Sequence, residues 1–155
     1  MKEISTYSRR GKSLEKIVNK ANMKYRLEKK AIIYNIPLPV MMTGEGLIPK
    51  SAPTDYIGSI GPNGKAIAFD AKETKNATSF PLQNIHAHQL NFLTYFGYTG
   101  GISFFLIWFR ESNEAYKTPV TFINDFIKNN KRKSIPKEEF KEEWKINLED
   151  YLGLN

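Results

Sequence analysis

Two carboxylates and a lysine are the residues of this 155-residue chain best placed to do chemistry. Asp55 lies in a β-rich run at 54–61, and Asp70 and Lys72 lie in a second run at 65–72. The dipeptide Asn63-Gly64 between the runs suits the positive φ angles of a tight type I′ hairpin turn. With Asn63 and Gly64 as the two loop residues, Pro62 faces Lys65, Asp55 faces Lys72 and Ile57 faces Asp70. Opposed residues share a face, as do residues two apart on one strand. Asp55, Asp70 and Lys72 then converge on one side, beside the small Ala66 and Ala68. Ile67, Phe69 and Ala71 point the other way, towards a core.

A one-residue slip of that register would send Asp55 to the opposite face. Pro62 has no N–H for a turn hydrogen bond, so a three-residue loop is a rival. Two carboxylates within reach of each other make a site for a hard cation. A lysine beside them can hold an attacking water or neutralise a developing oxyanion. The competing account is an exposed strand face carrying ordinary charges. The small residues between the charges, and the polar exit Glu73-Thr74-Lys75-Asn76, count against that account. Both readings stand on the residues alone.

The elements that must position these groups follow from hydrophobic spacing. Ser13 can cap a helix reaching about Lys30, with Leu14, Ile17, Val18, Ala21 and Tyr25 as its buried stripe. Glu15 borders the stripe, either as a favourable charge near the helix N-terminus or as a third carboxylate directed at the site. Residues 31–36 read as a first strand. Pro37, Pro39 and the Gly-rich 43–46 then make 40–53 a loop or short protrusion, carrying Lys50. After the hairpin, 84–96 reads as a helix whose apolar face includes one polar member, Gln89. That glutamine is either a boundary residue bonding backbone or a support for a site water or phosphate. His86 and His88 are two apart, which does not bring them onto one helix face, so they are expected at the surface. Residues 102–109 are a continuous apolar run, suited to a strand buried on both faces. A strand near 119–123 and a charged helix over 136–145, with Phe140 and Trp144 at i, i+4, complete the order.

The net charge of +7 is unevenly placed. Residues 1–30 hold ten Lys/Arg against three Glu, 10 − 3 = +7, and the remainder balances. This excess points to a polyanion, nucleic acid ahead of an acidic membrane surface, with a solvated helix face as the alternative. Residues 1–12 are expected to form a poorly ordered basic arm in which Arg9, Arg10 and Lys12 contact phosphates. There is no cysteine, which excludes disulfides and Cys-ligated zinc. The sequence opens without an apolar signal and has no run long enough to span a bilayer, so a soluble intracellular protein is expected. Gly97 and Gly100-Gly101 precede a strand rather than a helix, and no Gly-Lys-Ser/Thr signature exists, which argues against an NTPase and against any nucleotide cofactor. The length fits one domain over 1–155.

An Asp on one strand followed by Asp/Glu-X-Lys on the next resembles the signature of the PD-(D/E)XK nuclease superfamily, here Asp55 and Asp70-Ala71-Lys72. The surrounding Thr54-Asp55-Tyr56, Asp70-Ala71-Lys72-Glu73-Thr74-Lys75-Asn76, Ser79-Phe80-Pro81-Leu82 and Asn84-Ile85-His86-Ala87-His88-Gln89 resemble the RecU family of Holliday junction resolvases. So does Arg10-Gly11-Lys12-Ser13-Leu14-Glu15. The similarity is dense over 9–20 and 53–92 and thin beyond Phe109. It implies an α/β fold with a restriction-endonuclease-like core, a mixed β-sheet flanked by helices. It further implies metal binding by Asp55 and Asp70, assisted by the Ala71 main-chain carbonyl, with Glu15 approaching from the first helix. Lys72 would orient or activate water, and Gln89 would support the site. Mg²⁺, with Mn²⁺ as a substitute, would be the cofactor. A homodimer would place paired nicks in opposed strands of a four-way DNA junction, in the cytoplasm of a bacterial or phage-infected cell. Lys75 joins Arg9, Arg10, Lys12 and Lys50 as an expected backbone contact. The alternatives are a less selective branched-DNA or nicking endonuclease of the same fold, and a non-catalytic DNA-binding module. Two departures stand out: Asp70 replaces the family's usual Glu, and 40–53 is shorter than the family's stalk.

Overall fold

A computed structural model describes residues 5–155, with side chains from Leu14 onward. Helix α1 (Ser5–Leu27) opens the chain, beginning before the Ser13 expected from the capping pattern. Residues 5–12, expected as an irregular arm, therefore lie within α1, and residues 1–4 fall outside the described region. The stripe read from the sequence holds: Leu14, Val18, Ala21 and Tyr25 are buried against the sheet, with Ile17 packed beside them.

Strand β1 (Ala31–Asn35) follows, then the hairpin β2 (Val40–Thr43) and β3 (Gly46–Pro49). Next come β4 (Tyr56–Ile60), β5 (Lys65–Thr74), a short β6 (Ser79–Pro81) and α2 (Ala87–Tyr98). Strands β7 (Ile102–Phe109) and β8 (Glu114–Pro119), then α3 (Val120–Asn129), lead to β9 (Ser134–Pro136) and β10 (Lys145–Ile146). Six strands form one sheet in the order β1-β4-β5-β7-β8-β10. Strands β5 and β7 run parallel and the other neighbours antiparallel, so the sheet is mixed, as expected.

The apolar run of β7 is buried on both faces because it is a central strand covered by helices on each side. Phe104, Leu106 and Trp108 face the core under α1, while Phe105, Ile107 and Phe109 face the core under α2 and α3. The same alternation in β5 sends Ile67, Phe69 and Ala71 to the α1 side. Ala68, and with it Asp70 and Lys72 by the two-residue period, faces the α2 side. Phe69 is stacked between Tyr56 and Phe104, with ring centroids 4.8 Å away on each side. That packing fixes the strand whose other face carries the charges.

Two C-terminal expectations fail. The segment near 119–123 is not a strand: Pro119 ends β8, and Val120, Ile123 and Phe126 recur at helical spacing on the buried face of α3. The charged stretch at 136–145 is not a helix but two single 3-10 turns, Lys137–Glu139 and Glu142–Trp144. Phe140 between them is buried against Phe109, Tyr116 and Phe122, and Trp144 packs on Phe122 at 4.8 Å. Separate aromatic anchorages override the segment's helix propensity.

Candidate active site

The acid hairpin closes differently from expectation. Its loop is the four residues Gly61 to Gly64, with Ile60 facing Lys65. Gly64 alone of the Asn-Gly pair takes a positive φ, 67°, so the turn is not type I′, which needs both. Partners therefore shift by two: Ile57 faces Ala68, and Tyr56 faces Phe69. A shift of two preserves every side chain's face, so the predicted charged face survives. The pairing changes in one respect that matters. Asp55, one residue before β4, now stands across from Asp70 rather than Lys72.

The backbone locks this arrangement. Thr54 Oγ1 donates to the Phe69 carbonyl at 2.8 Å, the Asp55 N–H donates to Asp70 Oδ1 at 3.1 Å, and the Ala71 N–H donates to Asp55 Oδ2 at 3.0 Å. From α2, Gln89 Nε2 donates to Asp70 Oδ1 at 3.0 Å. Lys72 Nζ lies 2.7 Å from Asp70 Oδ2, off the line of a good hydrogen bond, so the contact is an ion pair first. Asp70 is fully buried and Asp55 half-buried. Burial pushes the Asp70 carboxyl up to about 7, the nearby Asp55 charge adds to the rise, and Lys72 offsets part of it. Burial likewise raises the Tyr56 hydroxyl, with Glu15, Asp55 and Asp70 adding to it.

Two clefts flank these residues. One, about 710 Å³, is lined by Glu15, Asp55, Gln89, His86 and His88, together with the backbone leading into and out of the β2–β3 hairpin. The other, about 540 Å³, lies at the exit of β5 and holds Lys72, Lys75, Arg110 and His86. Structure thus brings Asp55, Asp70, Lys72 and Gln89 into direct contact, with Glu15 exposed on the rim of the first cleft and Lys75 exposed in the second. Lys50 is exposed at the foot of the β2–β3 hairpin and lines neither cleft. The side chains of Arg9, Arg10 and Lys12 lie outside the described residues. His86 and His88 are exposed, as expected, and their rings stack at 5.8 Å.

A divalent cation fits the donor set. Every free lone pair at the acids belongs to oxygen, and one ammonium stands against two carboxylates. Gln89 Oε1 is also a buried acceptor without a partner among the described residues. Hard cations select such oxygen-rich, net-negative sites. Among the described residues no three His, Asp or Glu side chains cluster tightly enough to hold one ion, so Glu15 shares the cleft without joining the aspartates.

Arg110 escaped the sequence reading. Its guanidinium sits 4.6 Å from the Trp108 ring centroid and 2.9 Å from Glu73 Oε2, while the Arg110 main-chain N–H donates to the Thr74 carbonyl at 3.1 Å. Nothing local in the sequence marks it, because the parallel β5–β7 pairing brings together residues 37 apart.

Comparison with known proteins agrees with this geometry. The family RecU, "Recombination protein U", matches residues 9–154. "Holliday junction resolvase RecU" of Shouchella clausii is 37% identical over 147 residues, covering 86% of this chain and 70% of that protein. The protein of the same name from Pediococcus pentosaceus is 38% identical over 152 residues, covering 88% and 75%. Among solved structures, Hjc of Archaeoglobus fulgidus, titled a Holliday junction resolvase, superposes with a TM-score of 0.52 at 10% identity. That match covers 88% of this chain and 97% of Hjc, and it speaks for the fold. With a family match running nearly end to end and a PD-(D/E)XK acid face assembled on the expected sheet, this chain belongs to the RecU family.

Proposed function

We propose that this chain is a structure-selective endonuclease that resolves four-way DNA junctions by metal-dependent phosphodiester hydrolysis. The observation that carries this reading is the buried Asp70 carboxylate, held across from Asp55 and 2.7 Å from Lys72, with the unpartnered Gln89 Oε1 beside it. Asp55, Asp70 and the Ala71 main-chain carbonyl would hold Mg²⁺, with Mn²⁺ able to replace it. The chemistry such a cation supplies is polarisation of the scissile phosphate and activation of water. Lys72 then orients the attacking water and offsets charge as the phosphorane-like state develops. Gln89 fixes Asp70 through Nε2 and offers Oε1 to a water hydrogen. Glu15, on the cleft rim, is within the region that an incoming phosphate must cross. Arg9, Arg10, Lys12, Lys50 and Lys75 bind backbone phosphates without reading sequence.

Resolving a junction takes cuts in two opposed strands, so the working form is a homodimer with two such sites. Its place of action is the bacterial cytoplasm. No helix among the described residues is long and apolar enough to cross a membrane.

The test is cleavage of an end-labelled four-way junction, beside linear duplex, with and without Mg²⁺. Paired metal-dependent nicks on the junction, absent with Asp70→Asn, are the expected outcome. Equal cutting of duplex would remove the junction selectivity, and tight binding without cutting under any metal would remove the enzyme. Sedimentation at working concentration checks the dimer.

A further inference from the structure

The cleft at the exit of β5 has two chemically different walls. One wall is cationic, formed by Lys72 and Lys75 on β5 and beyond, with Arg110 from the end of β7. Arg110 is fixed there by Glu73 and the Trp108 ring, so its guanidinium is presented on a rigid strand end. The other wall comes from the connector between β6 and α2 and carries Gln83 and Asn84, with Asn76 closing the cleft from the β5 side. None of these three side-chain amides makes a hydrogen bond to any described residue. His86, at the end of the same connector, borders both this cleft and the acid cleft.

Carboxamide N–H groups can also meet phosphate oxygens, but three carboxamides together set an acceptor beside each donor, and phosphate has no use for the acceptors. Carboxamides pair a donor and an acceptor in one plane, which is the pattern that reads a base edge. The volume, about 540 Å³, has room for one nucleotide unit. We propose that this cleft is a nucleotide-binding subsite. It takes a nucleotide of the cut strand adjoining the scissile phosphate, with that nucleotide's phosphate against Lys75 and Arg110 and its base edge against Gln83, Asn84 and Asn76. The base must leave its stack to enter, and bases at a junction's crossover are the ones least expensive to unstack. The subsite therefore sets which sequence at the crossover is cut, a role separate from hydrolysis at Asp70. This inference rests on the nuclease reading proposed above.

The experiment uses the full chain and a set of four-way junctions differing only in the base flanking the crossover. Wild type is expected to cut its preferred base at least about fivefold faster than the poorest, the lower end of what one good base contact discriminates. Gln83→Ala/Asn84→Ala is expected to level the four rates to within about twofold while still producing paired nicks. In parallel, 2-aminopurine at the flanking position is followed by fluorescence without Mg²⁺, at a protein concentration where gel shift shows the junction bound and intact. It should brighten on adding wild type and brighten less with the double variant. An unchanged preference in the variant, or a wild type indifferent to the flanking base, overturns the subsite and leaves the nuclease intact. A uniform drop at all four bases overturns it too, reducing the cleft to a phosphate contact. If no junction is cut at all, the nuclease reading fails, and the fluorescence decides the subsite: no brightening with wild type overturns it.

Discussion

Two of the antiparallel hairpins among the described residues, β4–β5 and β2–β3, are held in opposite ways. The β4–β5 hairpin lies inside the main sheet, with Ile67, Ala68, Phe69 and Asp70 buried in succession. Its partners are tied by side chain to backbone across the pair, through Thr54, Asp55 and Asp70. The β2–β3 hairpin pairs only with itself, and seven of its eight residues are exposed, including Val40, Met42 and Leu47. Thr43 bonds the Gly46 carbonyl across its turn at 3.0 Å, which fixes the tip locally. The difference teaches where rigidity is put to use. A buried carboxylate must be positioned to a fraction of an ångström for its charge to act on a phosphate. An exposed apolar ribbon is limited only by what it meets outside the molecule. Stability and chemistry should therefore be concentrated in one hairpin and nearly absent from the other.

The strongest break of this contrast is Asp70→Asn. Removing the buried carboxylate should lower junction cleavage at least about a thousandfold in Mg²⁺, while junction binding stays within a few-fold, as measured by single-turnover kinetics and gel shift. The same variant tests what the acid costs the fold. Asp70 lies at about 7 in the folded chain against an ordinary 3.8, so between these values the folded chain keeps a proton that the unfolded chain has released. Metal-free wild type then loses stability as pH climbs from about 4 to about 7. Asn, which mimics the protonated acid, should melt near wild type below about pH 4, somewhat above it at pH 5 and several degrees above it at pH 8. A variant that melts lower than wild type even at pH 8 would show that the carboxylate is a structural asset rather than a charge held ready for a cation.

Next in size is Ile67→Ala, on the core face of the same strand and fully buried. Loss of its packing is worth about 2–5 kcal/mol, which lowers the melting temperature by roughly 5–20 °C for a chain of this size. Smaller again is the effect of pH on cleavage when Mg²⁺ is far from saturating. Cation capture requires ionised Asp70, so the rate should rise about tenfold per unit up to about pH 7 and flatten above. Lys72→Ala removes the ammonium that lowers the Asp70 value as well as the water-positioning group, so cleavage should slow at every pH and the bend in the residual profile should move to higher pH.

How much of this was legible beforehand depended on the range of the interactions. The acid face was readable because strand alternation is local, and it survived a turn of the wrong length, since the two-residue shift kept its parity. The β7 run and the α1 stripe were readable for the same reason. Lys72 alongside Asp70 is an i, i+2 pair, yet the direct Asp55–Asp70 apposition hung on a turn that Pro62 and a non-left-handed Asn63 closed differently. Arg110 and the second cleft were out of reach, because they depend on a parallel pairing across 37 residues. The charged C-terminal stretch misled because its helix propensity is intrinsic, whereas the aromatic anchors that unwind it, Phe109, Tyr116 and Phe122, are supplied by other elements.

The smallest effect belongs to the exposed hairpin and completes the contrast. Met42 is 82% exposed on β2, so its side chain contributes almost nothing to the folded state that the unfolded state lacks. Met42→Ser should move the melting temperature by less than about 2 °C, the range of ordinary surface substitutions. Cleavage chemistry at Asp70 should be untouched, as read from the single-turnover rate on bound junction. If the apolar tip instead serves to engage the junction, the change will appear in the ratio of junction to duplex affinity and nowhere else. A large loss of melting temperature would mean that the hairpin is buried in the working assembly. The two hairpins would then share the task of stabilising the fold, and the division between them would fail.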